Sequence, residues 1–498
     1  MQQTKYLFTI TISSVQNFIF QAIKTKDLFA GSQIVSDVIK EAIKLVLKIP
    51  DTEIIIPNDK DIVSNKIVFK IKHNKKDIKE FGKKLEENMR EKLKKSIGDD
   101  SIFNIFWTTI ELDEQNYQKS YMKLEQTLGM IKNARVFKQD AMISENMNKK
   151  KCEVCGERNQ SKDKLCEVCF KKREYIKGYF PSIAEICLLN WLSGVDYSEL
   201  KKEKDFDEEW FLEDKKREEV KLFLKKYESD LDTNKQPKHY ALIQFDIDSL
   251  GKTLSNLSKE KQQDLSKKLA DLSKDIKSFI DGDMDSEIKG KTIYAGGDDF
   301  LAFVNLKYFE NVITKIYEVF KEKELPKIKM TFSMSIIIAH YKTPLHKVLD
   351  YSRKLLRESK NATIDKSNIG FMIMSSNSII SKTIVKKEEL DILFKMQKEV
   401  IALNLYAKLQ NLFYAGMSYD ELLITKEIMK TEIKRVLKKE ESFKNNNEDR
   451  KDIQKIINKI NHVLDKQIKE ISANCYKVDF DNFIGFLKSV EQLKKVDK

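Results

Sequence analysis

The chain opens on a strict alternation of apolar and polar positions. In KYLFTITISSV, Tyr6, Phe8, Ile10 and Ile12 fall on one side of an extended chain, which predicts a strand over residues 5–12. Val15, Phe18, Ile19 and Ala22 then recur at helical spacing, so a polar turn separates strand from helix. Two β-rich runs follow, EIIIP at 53–57 and KIVFKI at 66–71, and the Asn- and Asp-rich segment between them reads as a hairpin turn. From Ile78 through Phe81, Leu85, Met89 and Leu93 the apolar positions return every three or four residues, as in a helix laid with one stripe on a sheet. The run IFNIFWTTIEL at 102–112 completes a β-α-β-β-α-β order.

The same order returns later in the chain. Residues 173–231 are helical in period and heavily charged, and DTNKQPKH marks a boundary. Beyond it come the strand HYALIQFDID at 239–248, a Lys-rich helix near 255–279, an acidic turn DGDMDSE and the hairpin KTIYAGGDDFLAFVNL. A helix over 307–323, a strand over 330–340, a helix from Leu345 to Ser359 and a strand over 369–375 follow. Residues 380–498 show apolar positions at helical spacing and read as a helical bundle. The two halves are therefore candidate copies of one fold. Thr11 and Ser13 of the first copy stand where Asp246 and Asp248 stand in the second, and PNDKDIVSN stands where AGGDD does.

The expected architecture is α+β: a degenerate first palm domain over 1–148, a zinc ribbon over 149–172, a helical domain over 173–235, a second palm over 236–378 and a helical bundle over 379–498. Both palms are expected to be ferredoxin-like. At 498 residues the chain exceeds what one core supports, consistent with several packed units. Lys and Arg outnumber Asp and Glu by 91 to 78, a formal charge of +13, which suits either a polyanionic partner or a soluble basic surface. No apolar run approaches the roughly 18 residues of a membrane span, and the first segment lacks the continuous apolar core of a signal peptide. A cytoplasmic location without membrane contact is therefore expected.

YAGGDDF carries the strongest catalytic signal. A strand enters a tight turn in which Gly296 and Gly297 permit positive φ or close backbone approach, and Asp298 and Asp299 stand adjacent at its tip. Adjacent like charges are costly without cations, and two Mg²⁺ or Mn²⁺ ions would both relieve that cost and create a phosphoryl-transfer site. Alternation along FDID predicts that Asp246 and Asp248 project to the same face of the neighbouring strand, so that Asp246 shares a metal with Asp298. Lys360, at the end of a helix in RKLLRESKN, either reaches a phosphate or simply complements the helix C-terminus. The acidic turn at 281–287 has Ser286 where a calcium loop requires glycine and Thr292 where it closes with glutamate, so it is assigned to solvent.

Cys152, Cys155, Cys166 and Cys169 form C-x2-C-x10-C-x2-C, two thiolate pairs on tight turns that complete a tetrahedron around a structural Zn²⁺. The flanking Lys149, Lys150, Lys151, Lys171, Lys172 and Arg173 would either touch RNA or keep the knuckle soluble. Cys187 reads as a buried small hydrophobe, and Cys475 has no partner in sequence.

FDIDSLGK, YAGGDDF, SIIIAHYKTPLHKVLDYSRKLLRESKN and ISSVQNFIFQAIKTKDLFAGS together resemble the large palm subunit of type III CRISPR effector complexes, in particular the Cmr type (III-B). The resemblance implies two cyclase-like palms with ATP between them and cyclic oligoadenylate made when guide RNA in the complex pairs with target RNA. It implies metal ligation by Asp246 and Asp298 with Asp299 as the second acid of the motif, and nucleotide contacts from Gly296, Gly297, Ser249, Lys360 and, in the first palm, Ser13 and Ser14. It also implies the other complex subunits as partners. Many family members carry a His-Asp nuclease domain, and none of the five histidines here is followed by Asp, so this chain is expected to lack it. Two other readings compete: a non-catalytic nucleotide-binding scaffold of the same complex, and a stand-alone dinucleotide cyclase.

Overall fold

A computed structural model of the chain describes residues 4–59, 61–75, 77–134, 150–189, 191, 212–225, 236–282, 287–376, 378–398, 423–424, 430–431, 433–435, 447–472, 475–478 and 480–496. Two compact units divide it. The first comprises Met1–Trp210, Gln244–Thr331 and Pro344–Asp350; the second comprises Phe211–Ile243, Phe332–Thr343 and Tyr351–Lys498.

The first sheet contains β1 (Thr4–Ser13), β2 (Glu53–Ile56), β3 (Lys66–His73) and β4 (Asn104–Glu111) in the order β2-β3-β1-β4, with antiparallel pairing throughout. One face carries Tyr6, Phe8, Ile10 and Ile12 into a core shared with α2 (Thr25–Leu47) and α3 (Asp77–Ile97), preceded by the short α1 (Val15–Phe20). The opposite face is also dry. Leu7, Ile55 and Val68 pack there against Tyr121 and Leu124 of α4 (Tyr117–Asn133), a helix that the pattern reading passed over.

The zinc-ribbon segment is joined to this core: Cys152, Leu165, Cys166, Val168 and Cys169 are buried in the same cluster as the first sheet. Cys166 caps α5 (Glu167–Tyr175) by accepting from the Cys169 amide. α6 (Ile183–Leu188) follows, with Cys187 fully buried as expected. Of the segment expected to be a helical domain, α7 (Arg217–Lys225) is described, while residues 192–211 and 226–235 lie outside the described residues.

The second copy contains β5 (His239–Ile247), α8 (Leu250–Ser255), α9 (Lys259–Asp281), β6 (Gly290–Ala295), β7 (Asp299–Asn305), α10 (Phe309–Glu322) and β8 (Phe332–His340). It continues through α11 (Leu345–Ala362), β9 (Ile369–Met374) and β10 (Ile379–Val385). The sheet runs β10-β9-β8-β5-β7-β6, and its β8-β5-β7-β6 portion repeats the β4-β1-β3-β2 order. Both copies are thus ferredoxin-like palms.

Residues 379–498 are not helices alone. Besides α12 (Lys387–Lys398), α13 (Asn447–Gln467) and α14 (Phe480–Val496), they supply β10 and a small sheet of β11 (Leu423–Ile424), β12 (Ile468–Ser472) and β13 (Cys475–Val478). β10 escapes a hydrophobicity reading because its inward positions include Ser381 and Thr383. Ser489 of α14 bonds to Ser381 across 3.0 Å, and a Cβ at Gly485 would lie 1.9 Å from the Lys382 carbonyl oxygen, so small residues let helix and strand meet. Asp281 of the acidic turn is not left to solvent: it accepts from the Thr292 amide (2.6 Å) and pairs with Lys291 (2.9 Å), while 283–286 lie outside the described residues. Among the described residues no helix is long and apolar enough to cross a membrane.

Candidate functional site

The same local turn follows the first strand of each palm. β1 ends at Ser13, Ser14 adopts a left-handed conformation (φ 67°), and α1 begins; β5 ends at Ile247, Asp248 follows, Ser249 adopts the same conformation (φ 56°), and α8 begins. The adjacent hairpins join at matching points. The Ile12 amide donates to Asn65 O at 3.0 Å, and the Ile247 amide donates to Asp298 O at 2.9 Å. In this frame Thr11 matches Asp246, Ser13 matches Asp248, Asn65 matches Asp298 and Lys66 matches Asp299.

The β6–β7 turn closes when the Gly296 amide donates to Asp299 O at 2.9 Å. Its two glycines serve different ends. Gly297 has φ +91°, a region that side chains with a Cβ avoid, whereas a Cβ at Gly296 would lie 2.6 Å from Asp299 Oδ1. Gly296 therefore makes room for a carboxylate, and Gly297 makes the bend.

Asp246, Asp298, Asp299 and Gly296 line one cavity of about 490 Å³ together with Ser13 and Ser14 of the first palm. That volume lies within the range of small-molecule sites. The cavity also takes in residues that the sequence reading did not name: Asn17, Ser64, Asn65, Lys132 and Tyr294. Asn65 could have been found, because it closes the PNDKDIVSN segment already matched to AGGDD. Tyr294 is fixed from behind, its hydroxyl accepting from Gln244 Nε2 at 3.2 Å. Gly297 and Asp298 also border a second pocket of about 220 Å³ with apolar walls from Leu250, Leu254, Leu265 and Leu269.

Three expected residues stand elsewhere. Asp248 does not line the cavity; it lies just past the strand end at Ile247, its buried carboxylate accepts from Thr331 Oγ1 at 2.9 Å and its amide donates to Thr331 O at 2.8 Å. Ser249 shapes the start of α8 and is outside the cavity lining. Lys360 lies in the last turn of α11, in the second unit, and is likewise not among the cavity residues.

One donor set converges as a metal site does. Cys152, Cys155, Cys166 and Cys169 bring their sulfurs within 4.8 Å of one another, and Cys155 Sγ to Cys166 Sγ is 3.9 Å. A tetrahedron with Zn–S bonds of about 2.3 Å has edges of about 3.8 Å, so zinc fits. Hydrogen bonds from Cys169 and then Arg158 pull the Cys166 thiol down against its burial, whereas the bond to Cys166 pushes Cys169 up and burial pushes Cys155 up, so in this cluster the sulfurs share protons that a bound metal would displace. Among the described residues this is the only group of three or more ligands converging so closely. The three carboxylates line one cavity without converging as the cysteine sulfurs do, and oxygen donors of this kind would suit Mg²⁺ or Mn²⁺.

Two ferredoxin-like palms, one bearing a carboxylate-tipped glycine turn, define a double-palm protein with a cyclase-like fold. Residues 239–369 match the model of the Cas10/Cmr2 second palm domain, and residues 7–66 match that of the CRISPR-associated protein Cmr2 N-terminal region. The CRISPR system Cmr subunit Cmr2 of Pyrococcus furiosus is 31% identical over 219 residues, 38% of this chain and 24% of that relative's length. The chain thus aligns with about a quarter of the curated relative. The apo state of a type III-B Cmr-beta structure matches with a TM-score of 0.62 at 13% identity, covering 87% of this chain and 77% of the other. A Csm1–Csm4 cassette in complex with pppApApA matches with a TM-score of 0.55 at 11% identity, covering 99% and 69%. The two matched regions and the Cmr2 relative support a Cas10/Cmr2 subunit of the Cmr (type III-B) kind.

Proposed function

We propose that the chain is the nucleotidyltransferase subunit of an RNA-guided type III complex and converts ATP to cyclic oligoadenylate when target RNA is bound. The observation that carries this reading is the shared cavity of Asp246, Asp298 and Asp299 with Ser13 and Ser14. Mg²⁺ or Mn²⁺ held by the three carboxylates would activate a 3′ hydroxyl and neutralise charge on the departing pyrophosphate. The chain's own groups do the positioning. Gly296 leaves the backbone bare beside Asp299, and the hydroxyls of Ser13 and Ser14 with the Asn65 amide offer neutral hydrogen bonds from the first palm. Such a wall can hold a second nucleotide without repelling its phosphates. The similar fold of a cassette seen with pppApApA, an adenylate trimer, supports ATP as the substrate.

A second reading is a nucleotide-binding scaffold without catalysis, favoured by the carboxylates' failure to converge as the cysteines do. One experiment separates the two. The assembled complex, with guide, matched target RNA, ATP and Mg²⁺, is expected to release oligoadenylate, and Asp298→Ala with Asp299→Ala is expected to abolish it. Silence of the wild-type complex, or full activity of the double variant, would remove the enzyme reading.

A further inference from the structure

The basic run beside the zinc ribbon contains a buried lysine and a half-buried arginine. Lys172, only 1% exposed, donates to the carbonyl oxygens of Phe18 (2.5 Å), Ile19 (3.1 Å) and Gln21 (3.0 Å). A short helix ends with carbonyls that have no partner of their own, and an ammonium has three donors, so the lysine matches the end of α1 group for group. The positive charge also complements the helix C-terminus and lies 4.5 Å from the Phe18 ring centroid. Gly31 of α2 makes the passage: a Cβ there would stand 2.8 Å from Lys172 Cε. Burial pulls the ammonium down to about 8, opposed by Asp27 and Cys169, so it remains charged at pH 7.

Its neighbour completes the grip. Arg173 holds Asp27 through two bonds, Nε to Oδ1 at 2.9 Å and Nη2 to Oδ2 at 2.7 Å, and Asp27 in turn accepts from the Ile23 and Lys24 amides that open α2. Gln21 Nε2 donates to Glu157 of the ribbon at 3.1 Å. The corner between α1 and α2 is thus held from the ribbon side at Phe18, Ile19, Gln21 and Asp27. The other end of α1, Val15 through Asn17, lines the cavity that holds Asp246 and Asp298.

We infer that Lys172 is a positioning residue for the nucleotide site: it fixes α1 against the zinc ribbon, so that nucleotide affinity depends on whether the four cysteines hold their metal. The inference rests on the reading of the cavity as a nucleotide site. Lys172 touches no substrate and acts through α1 alone. Losing the metal would free Cys169, three residues before Lys172 on α5, and with it the ammonium that holds the end of α1.

The test uses the full chain and ATP with Mg²⁺. In Lys172→Met, zinc content should stay stoichiometric, amide exchange over residues 17–21 should quicken, and ATP affinity by titration calorimetry should fall roughly tenfold, as small misplacements of positioning groups do. Wild-type protein stripped of zinc by a chelator should show the same two changes. In the assembled enzyme the variant should raise KM for ATP more than it lowers kcat. A merely structural lysine would lower the melting temperature and leave ATP affinity unchanged, which would overturn the inference. Should Lys172→Met fail to fold, the chelation arm decides: unchanged exchange in α1, or unchanged ATP affinity after zinc loss, overturns it equally. Wild-type chain that binds no ATP at all would sink the nucleotide-site reading and this inference together, whereas wild-type binding with equal binding by the variant sinks the inference alone.

Discussion

The two palms share a backbone and differ in charge. Their first strands end in the same left-handed serine, and the amides of Ile12 and Ile247 reach the neighbouring hairpin in the same way. Where the second palm has Asp246, Asp298 and Asp299, the first has Thr11, Asn65 and Lys66, and Lys66 is ion-paired with Glu125. The carboxylates are therefore not needed to build the fold. An ion pair and two neutral side chains occupy the same positions in the first palm, so the shared fold forms with or without acids there.

The strongest way to break this comparison is to copy one palm onto the other. Asp298→Asn with Asp299→Lys writes the Asn65–Lys66 pair into the second palm. Oligoadenylate synthesis by the assembled complex should fall on the order of a thousandfold or more, because the ions would lose their anionic ligands. Retention of a tenth of wild-type turnover would show that the palms' charge difference is incidental.

Next in size is the cysteine cluster, which packs into the core of the first palm. Cys166→Ser removes a buried thiolate from a cluster continuous with the first sheet's core, and structural zinc contributes folding free energy directly. Calorimetric unfolding should show a loss of several kcal/mol, and an unchanged melting curve in a zinc-free variant would refute the ribbon as a staple of that core.

Which features were legible in the sequence follows from how local their causes are. The alternation of β1 and β5, the glycine bend and the cysteine spacing each state their chemistry within a few residues. Lys172 could not be told from Lys171, because burial of an ammonium depends on a helix end 150 residues away in sequence that supplies its acceptors. Asp248 is held by Thr331, a partner from a distant segment that alternation along FDID does not reveal, and does not line the cavity. α4 carries Tyr121, Leu124 and Leu128 at helical spacing, but the reason for it lies in β1, whose Leu7 and Thr9 leave a second face to be covered.

The glycine turn offers a finer contrast, since the matching first-palm segment PNDKDIVSN has no glycine. Gly297→Ala forces a side chain into φ +91° and should cost about 1–2 kcal/mol of stability. Gly296→Ala must displace the Asp299 carboxylate, so it should lower synthesis more than it lowers the melting temperature. Equal effects of the two variants on both readouts would show that the glycines are interchangeable.

The smallest expected effect tests how the palms are tied together. Gln262 of α9 is fully buried; its Nε2 donates to Leu254 O at 2.7 Å, capping the second palm's short helix from within, and its Oε1 accepts from Tyr117 of the first palm at 2.6 Å. The corresponding helix of the first palm is capped from outside, by Lys172. Tyr117→Phe removes one hydrogen bond and should cost about 1 kcal/mol at pH 7. Burial, helped by Glu260, Glu53 and Glu125, pushes the Tyr117 hydroxyl well above its ordinary range. Its contribution is complete below the unfolded value of about 10 and is lost as pH rises beyond it, because only the unfolded chain then releases the proton. Wild type should lose stability between pH 9.5 and 11 faster than Tyr117→Phe, so the gap measured by denaturant unfolding narrows with rising pH. A gap that widens over that range would mean that the hydroxyl is ionised in the folded protein and that the link between the palms is not the hydrogen bond drawn from Tyr117 to Gln262.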